Sequence, residues 1–240
     1  MTISPDSLVL WSWGGVSLNA TVAVTWAVMA LLVLGSLAVT SRLSDGERLP
    51  PWQNLLEVIV SGIRDQIAEV GAEHPARYLP FIGTLFLFIA VSNLLTVVPG
   101  YVPPTASLST TAALALCVFV AVPVFSIARK GVGGFLRTYV RPTVFMLPFN
   151  VIGELSRTIA LAVRLYGNVM SGTVIAGILI SIAPFFFPIL MQLLGLITGL
   201  IQAYIFAVLA MVYIASATRT HDDDRAPPPD GAPRSSAQED

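Results

Sequence analysis

The sequence predicts an all-α integral membrane protein of about five membrane helices, including a long tilted C-terminal hairpin, plus one amphipathic helix on the cytoplasmic surface. Three observations predict it. Hydrophobic residues are 55% of the chain and charged residues only 11%, well below the ~25% charge of soluble domains. Apolar runs at 16–39, 79–98, 107–128, 143–182 and 186–217 each reach the ~18 residues needed to cross the hydrocarbon. The 13 Lys and Arg residues also alternate between connections. Arg42, Arg48, Arg64 and Arg77 lie between the first two runs. Arg129, Lys130, Arg137 and Arg141 precede the fourth, and Arg219, Arg225 and Arg234 follow the fifth, while 1–15, 99–106 and 183–185 carry none. The positive-inside rule therefore puts the N-terminus outside and the C-terminus in the cytoplasm.

The first run is expected to remain as an anchor, because residues 1–20 hold no Lys or Arg and so lack the charged region of a cleavable signal. Between the first two runs, Trp52, Leu55, Leu56, Ile59, Ile63, Ile67 and Val70 recur at three- and four-residue spacing, and Glu57, Arg64, Asp65, Glu69 and Glu73 take the other face. That is the pattern of a helix lying in the membrane surface, started by Pro50 and Pro51 and closed by Pro75. His74 reads as a solvated surface residue. Residues 97–104, rich in Pro and Gly, form a stiff non-helical connector at the outer face. Cys117, the single cysteine, falls in the third run, which excludes an internal disulfide and reads as a small packed residue.

The fourth and fifth runs are too long for upright helices. Residues 143–182 would extend ~60 Å at ~1.5 Å per residue, against a hydrocarbon ~30 Å thick. The helix must tilt or bend, and Ala183-Pro184 makes a turn into a slanted hairpin with a broad flank for a partner. Residues 1–218 form one membrane domain, and 219–240, polar and rich in Asp and Pro, a disordered cytoplasmic tail.

The chemistry concentrates on the fourth run. Asn150, Glu154, Arg157, Leu161, Arg164, Asn168 and Ser171 follow alternating four- and three-residue steps, which stacks them on one helix face. A charge at that depth costs at least ~2.5–3.5 kcal/mol, so an intramembrane arginine is a functional hypothesis by default. Arginine does not give up its proton and acts only as a fixed charge. Glu154 and Arg157, three residues apart, can neutralise each other, and pairing or function are equally open for them. Arg164 has no acidic residue one turn away, which points to a partner carboxylate on another subunit. Small Ala160, Gly167 and Ser171 allow close helix approach, and on the fifth run Gly195, Gly199, Gln202 and Phe206 share a face. Gln202 is the expected hydrogen-bonding neighbour of Arg164 across the hairpin.

Arg164-Leu165-Tyr166-Gly167-Asn168, within ALAVRLYGNVMSG, closely resembles the signature of subunit a of rotary F-type ATP synthases. Asn93-Leu94-Leu95 with Pro99-Gly100 and Pro103-Pro104-Thr105, and Gln202-Ala203-Tyr204-Ile205-Phe206, resemble two further segments of that family. The resemblance implies a stator beside a rotating ring of c subunits, with b-type peripheral stalk subunits and a soluble catalytic ATPase sector as further partners, in a bacterial inner membrane. It implies that Arg164 is the essential arginine, Asn168 and Gln202 its polar neighbours, and Arg157 the basic position one heptad earlier, with Glu154 and Asn150 along the ion path. Two positions depart from the family's pattern: Thr173 and Gly195 stand where many members carry an ionisable residue. That resembles a divergent branch encoded by a second operon, and leaves proton and sodium both open as the coupling ion.

Competing classes are a self-contained secondary transporter, for which the internal repeats such folds show are not found here, and a non-transporting scaffold, which leaves Arg164 unexplained. The chain itself is not expected to hydrolyse ATP: Lys130, the single lysine, lies between Arg129 and Gly131 rather than in a phosphate-binding loop. His74 and His221 lie far apart, so no metal site or cofactor is expected, and nothing points to nucleic acid.

Overall fold

The computed structural model describes residues 9–13, 16–41, 51–70, 75–98, 101–140, 146–182 and 187–218. Expectations for Pro50, His74, Pro99-Gly100, the Ala183-Pro184 turn, His221 and the tail from 219 lie outside the described residues. Among the described residues, six α-helices follow a short antiparallel pair of strands, β1 (Val9–Trp13) and β2 (Val16–Asn19). They are α1 (Ala20–Thr40), α2 (Pro51–Glu69), α3 (Pro75–Leu94), α4 (Leu108–Val140), α5 (Met146–Ile182) and α6 (Phe187–Thr218). Five of them, all but α2, are long and apolar enough to cross a membrane.

Three boundaries differ from the sequence reading. Residues 16–19, expected to open the first span, belong to β2; the alternating Val-Ser-Leu-Asn that reads as apolar run also suits an extended strand. Pro75 opens α3 rather than closing α2, which ends at Glu69: at a first helical position proline lacks only an N–H that would be unsatisfied anyway. The third span continues past Ala128 to a break at Gly131, whose φ of 73° and ψ of 168° interrupt the helix. Only glycine adopts that backbone readily, and it redirects the chain where the helix carries Arg129 and Lys130.

The packing is not uniform around the bundle. α3 packs along α6 and α4 along α5; α5 and α6 pair with each other, and α4 also reaches α6. The shared core joins Ile82, Leu85 and Ile89 of α3, Val118 and Val122 of α4, Leu161 and Leu165 of α5, and Phe206, Met211 and Ile214 of α6. Ala203, Ala207 and Ala210 keep the α6 side of that seam narrow, which matters in lipid because helix association there depends on close contact. α2 lies against α3 and touches α6, with Ile67 buried, Ile59, Ile63 and Val70 half-buried and Glu57, Arg64, Asp65 and Glu69 exposed, so among the described side chains the two faces fall as the spacing predicts.

The ends are pinned by side chains. Lys130 Nζ donates to the Ala217 carbonyl at 2.9 Å, and Ser126 Oγ donates to the same oxygen at 3.0 Å. A cation on the last carbonyls of α6 both satisfies an orphan acceptor and opposes the helix dipole.

Candidate functional site

Leu161, Ala162 and Leu165 are buried and bind α5 to its neighbours, and Arg164, at the edge of that packed face, is exposed. Around it the flank is apolar. Ile159 and Val163 on α5, and Leu193, Leu194, Ile197, Leu200 and Ile201 on α6, are all exposed. Among the described residues no acidic group pairs with Arg164. The predicted stripe therefore runs along the border of the packed face: Leu161 is buried, Glu154 and Asn168 half-buried, and Asn150, Arg157, Arg164 and Ser171 exposed.

Gln202 does not meet Arg164. It is buried among the α6 residues that face α3, together with Gly199 and Phe206, and its Nε2 has no hydrogen-bond partner among the described residues. Gly195, expected on the same face, is exposed. The reason is the rotation of the two helices: α6 turns Gln202 inward while α5 turns Arg164 outward. What crosses the hairpin instead is Asn168, whose Nδ2 donates to the Thr198 carbonyl at 3.4 Å. Thr173 bonds back to its own helix, Oγ1 to the Val169 carbonyl at 2.9 Å.

Two polar clusters flank Arg164 along the hairpin. One includes side chains the sequence reading did not single out as functional. Asn93 Nδ2 donates to the Gly199 carbonyl at 3.0 Å, and Thr105 Oγ1 donates to Asn93 Oδ1 at 3.3 Å. Gln192 Nε2 donates to the Thr96 carbonyl. Ser92, Asn93 and Thr105 are buried, and the Ser92 Oγ and Tyr101 hydroxyl, like Gln202 Nε2, are buried with no partner among the described residues. Burial pushes the Tyr101 phenol up to about 12, so it stays protonated at physiological pH; the Ser92 hydroxyl opposes that shift in part, although the two are not in hydrogen-bond geometry. The second cluster lies at the opposite end: Glu154, Arg157, Thr158 and Tyr213 line one small cavity with Val118, Phe119 and Val122. There the Arg157 guanidinium lies over the Tyr213 ring, 5.6 Å from its centroid.

A fixed cation on an exposed apolar flank, with polar groups leading away from it in two directions, is an arrangement that needs other subunits to be complete. Comparison with known sequences gives the family. The profile of the family described as ATP synthase A chain matches residues 22–215. The chain belongs to that family. ATP synthase subunit a 2 of Acaryochloris marina is 62% identical over 219 residues, covering 91% of this chain and 94% of its own length. ATP synthase subunit a of Albidiferax ferrireducens is 60% identical, with 91% and 95% covered. ATP synthase subunit a 1 of Chlorobium luteolum is 59% identical over 223 residues, with 93% and 100% covered.

As a member of the ATP synthase A chain family the protein is a non-catalytic membrane-sector subunit with a stator role in a larger complex. Membership favours this reading over a self-contained transporter or an unrelated scaffold. The signals that could have flagged the missed residues were present: Asn93 and Thr105 lie inside one of the segments that resemble the family, and Tyr213 sits eleven residues after Gln202, three helical turns further along α6.

Proposed function

We propose that the chain conducts the coupling ion past a ring of c subunits, with Arg164 as the fixed charge that discharges each passing ring carboxylate and separates two offset aqueous half-channels. Proton or sodium flow is thereby coupled to ATP synthesis or hydrolysis. The observation that carries this reading is the exposure of Arg164 on the unpacked apolar flank of α5, with no acidic partner among the described residues. An intramembrane charge needs a counter-charge, and that flank is where a neighbouring subunit would supply one. At ~4 Å a guanidinium attracts a carboxylate by roughly 4 kcal/mol at an effective dielectric near 20, enough to favour loss of the bound ion.

Asn93, Ser92, Tyr101, Thr105, Gln202 and Asn168 lead from Arg164 toward the end of the hairpin where α5 meets α6, the outer side by the distribution of basic residues. Their unpartnered buried polar atoms support a hydrated path there, since buried polar groups require partners. Glu154, Arg157 and Asn150 lead toward the cytoplasm. Thr173 and Gly195 contribute no titratable group, so the outer path is lined by neutral amides and hydroxyls, a set that serves either ion. The peripheral stalk, through b-type subunits, and the soluble catalytic sector would hold and drive the same assembly. The bacterial sources of the relatives support a bacterial inner membrane, and the distribution of basic residues favours an N-terminus outside and a C-terminus in the cytoplasm.

Disulfide trapping in the assembled complex tests which flank meets the ring. Cysteines at exposed Ala160 or Gly167 should cross-link to a cysteine beside the ring carboxylate, and a cysteine at buried Leu165 should not. Efficient cross-linking from Leu165 and none from Ala160 or Gly167 would contradict the proposal.

A further inference from the structure

The apolar face of α2 does not close fully on the bundle. Beneath it lies a cavity of ≈ 370 Å³ walled by α2, α3 and α6. Val58, Gly62, Gln66 and Val70 follow four-residue steps along its α2 side, so it runs ~18 Å along that helix. Ile82 and Phe86 of α3 and Met211 of α6 complete an apolar trough, in which Gln66 and Tyr204 are the only side chains that carry polar groups. These two bond each other: the Tyr204 hydroxyl donates to Gln66 Oε1, and Gln66 Nε2 donates to Glu69 Oε2 at 2.9 Å. The trough thus has an apolar body and one polar chain that leads out to the exposed Glu69 carboxylate, the make-up of a site for an amphiphile.

We propose that this trough holds an acyl chain of a phospholipid from the leaflet on the α2 side, the cytoplasmic one by the distribution of basic residues. Three features select a lipid chain over a partner helix. Even counted out to its open side the space is ≈ 850 Å³, which over ~18 Å gives a width of about 8 Å, below the ~10–12 Å of a helix with its side chains. The trough is continuous with the lipid-facing surface, since Val58 and Tyr204, which line it, are 62% and 47% exposed. An amphipathic helix such as α2 lies at the boundary between headgroups and acyl chains, so the trough begins at the depth where acyl chains begin. An apolar space of this size does not stay empty beside lipid; a dry cavity of ~150 Å³ already takes up benzene. The headgroup follows from charge. On α2, Glu57, Asp65 and Glu69 are exposed against Arg64 alone, so an amine-bearing zwitterionic headgroup fits beside it better than an anionic one.

The test is photo-cross-linking of the assembled complex in vesicles of phosphatidylethanolamine and phosphatidylglycerol. A trace of phosphatidylethanolamine with a photoactivatable acyl chain is the probe, and labelled peptides are mapped by mass spectrometry. Residues 58–70 and 204–211 should label more strongly than the outward faces of α1 and α4, at Trp26 and Leu116, which meet bulk lipid. Gly62→Leu should cut labelling of the trough roughly tenfold or more and leave α1 and α4 unchanged. Nothing lies within 4 Å of a Cβ at Gly62, so leucine grows into the trough, and each methylene it excludes is worth about fourfold. Should that variant not assemble, Val208→Phe, from the α6 wall, carries the same expectation. The same probe on phosphatidylglycerol should label the trough several-fold less. Trough labelling no stronger than that of α1 and α4, or unchanged when the trough is filled, would overturn the lipid site. Disulfide trapping of Gly62→Cys by a partner subunit would overturn it in favour of a protein occupant. Stronger labelling by the phosphatidylglycerol probe would overturn the headgroup assignment.

Discussion

The Asn93 side chain donates to the Gly199 carbonyl at 3.0 Å, and the bare Cα at Gly199 is what lets it come so close. A Cβ built at Gly199 would lie 2.9 Å from both Cβ and Cγ of Asn93. The α3–α6 seam therefore depends on a glycine placed three residues before Gln202. Gly199→Ala should displace Asn93, break the link to Thr105, and destabilise the chain by ~1–3 kcal/mol, the usual cost of overpacking. Thermal inactivation of the purified complex measures it, and Gly199→Ala with unchanged inactivation would show that Asn93 can move aside freely.

Gln202→Leu should impair coupled pumping far less than loss of Arg164. The amide does not hydrogen-bond the guanidinium in this structure and lies with the buried polar cluster, and even an interhelical hydrogen bond in a membrane is worth only ~0.6–2 kcal/mol, so its removal leaves the fixed charge in place. Complete loss of pumping with normal assembly would show that the amide touches the ion directly.

Glu154 is the one acidic side chain on α5 and α6. Glu154→Gln should slow transport several-fold and change its pH or sodium dependence, and Glu154→Asp should be milder. A carboxylate beside Arg157 serves either ion, so the expectation holds whichever is coupled. Profiles identical to the parent across a pH and sodium titration would make Glu154 a structural partner of Arg157 only.

Gly131 holds the break at which α4 redirects. Gly131→Ala should cost ~1–3 kcal/mol, because a residue with a Cβ is strained at a φ of 73° and ψ of 168°. Space is not the limit, since nothing lies within 4 Å of a Cβ placed there. Reduced thermal stability with preserved specific pumping in surviving complexes is the expected pattern.

The spans were legible because each is a long apolar run, and the stripe from Asn150 to Ser171 because polar residues recur at helical spacing. The direction each helix faces was not. Outside that stripe α5 and α6 are largely apolar, so their sequences do not say which side packs, and placing Gln202 beside Arg164 assumed a rotation the hairpin does not have. The strands before α1 were hidden for a related reason: Val16 and Leu18 suit either an apolar helix or a strand. Contacts such as Asn93 with Gly199 or Arg157 with Tyr213 join residues far apart in the chain, and no local spacing reports them.

Everything in the mechanism converges on one charge. The most direct test is ATP-driven ion pumping and ATP synthesis by complexes carrying Arg164→Ala or Arg164→Lys, with subunit content checked by co-purification. Both variants should assemble and both should fail to couple, alanine because the fixed charge is gone, lysine because an ammonium does not reproduce the planar guanidinium and its five donors. Near-normal pumping by either assembled variant would contradict the account.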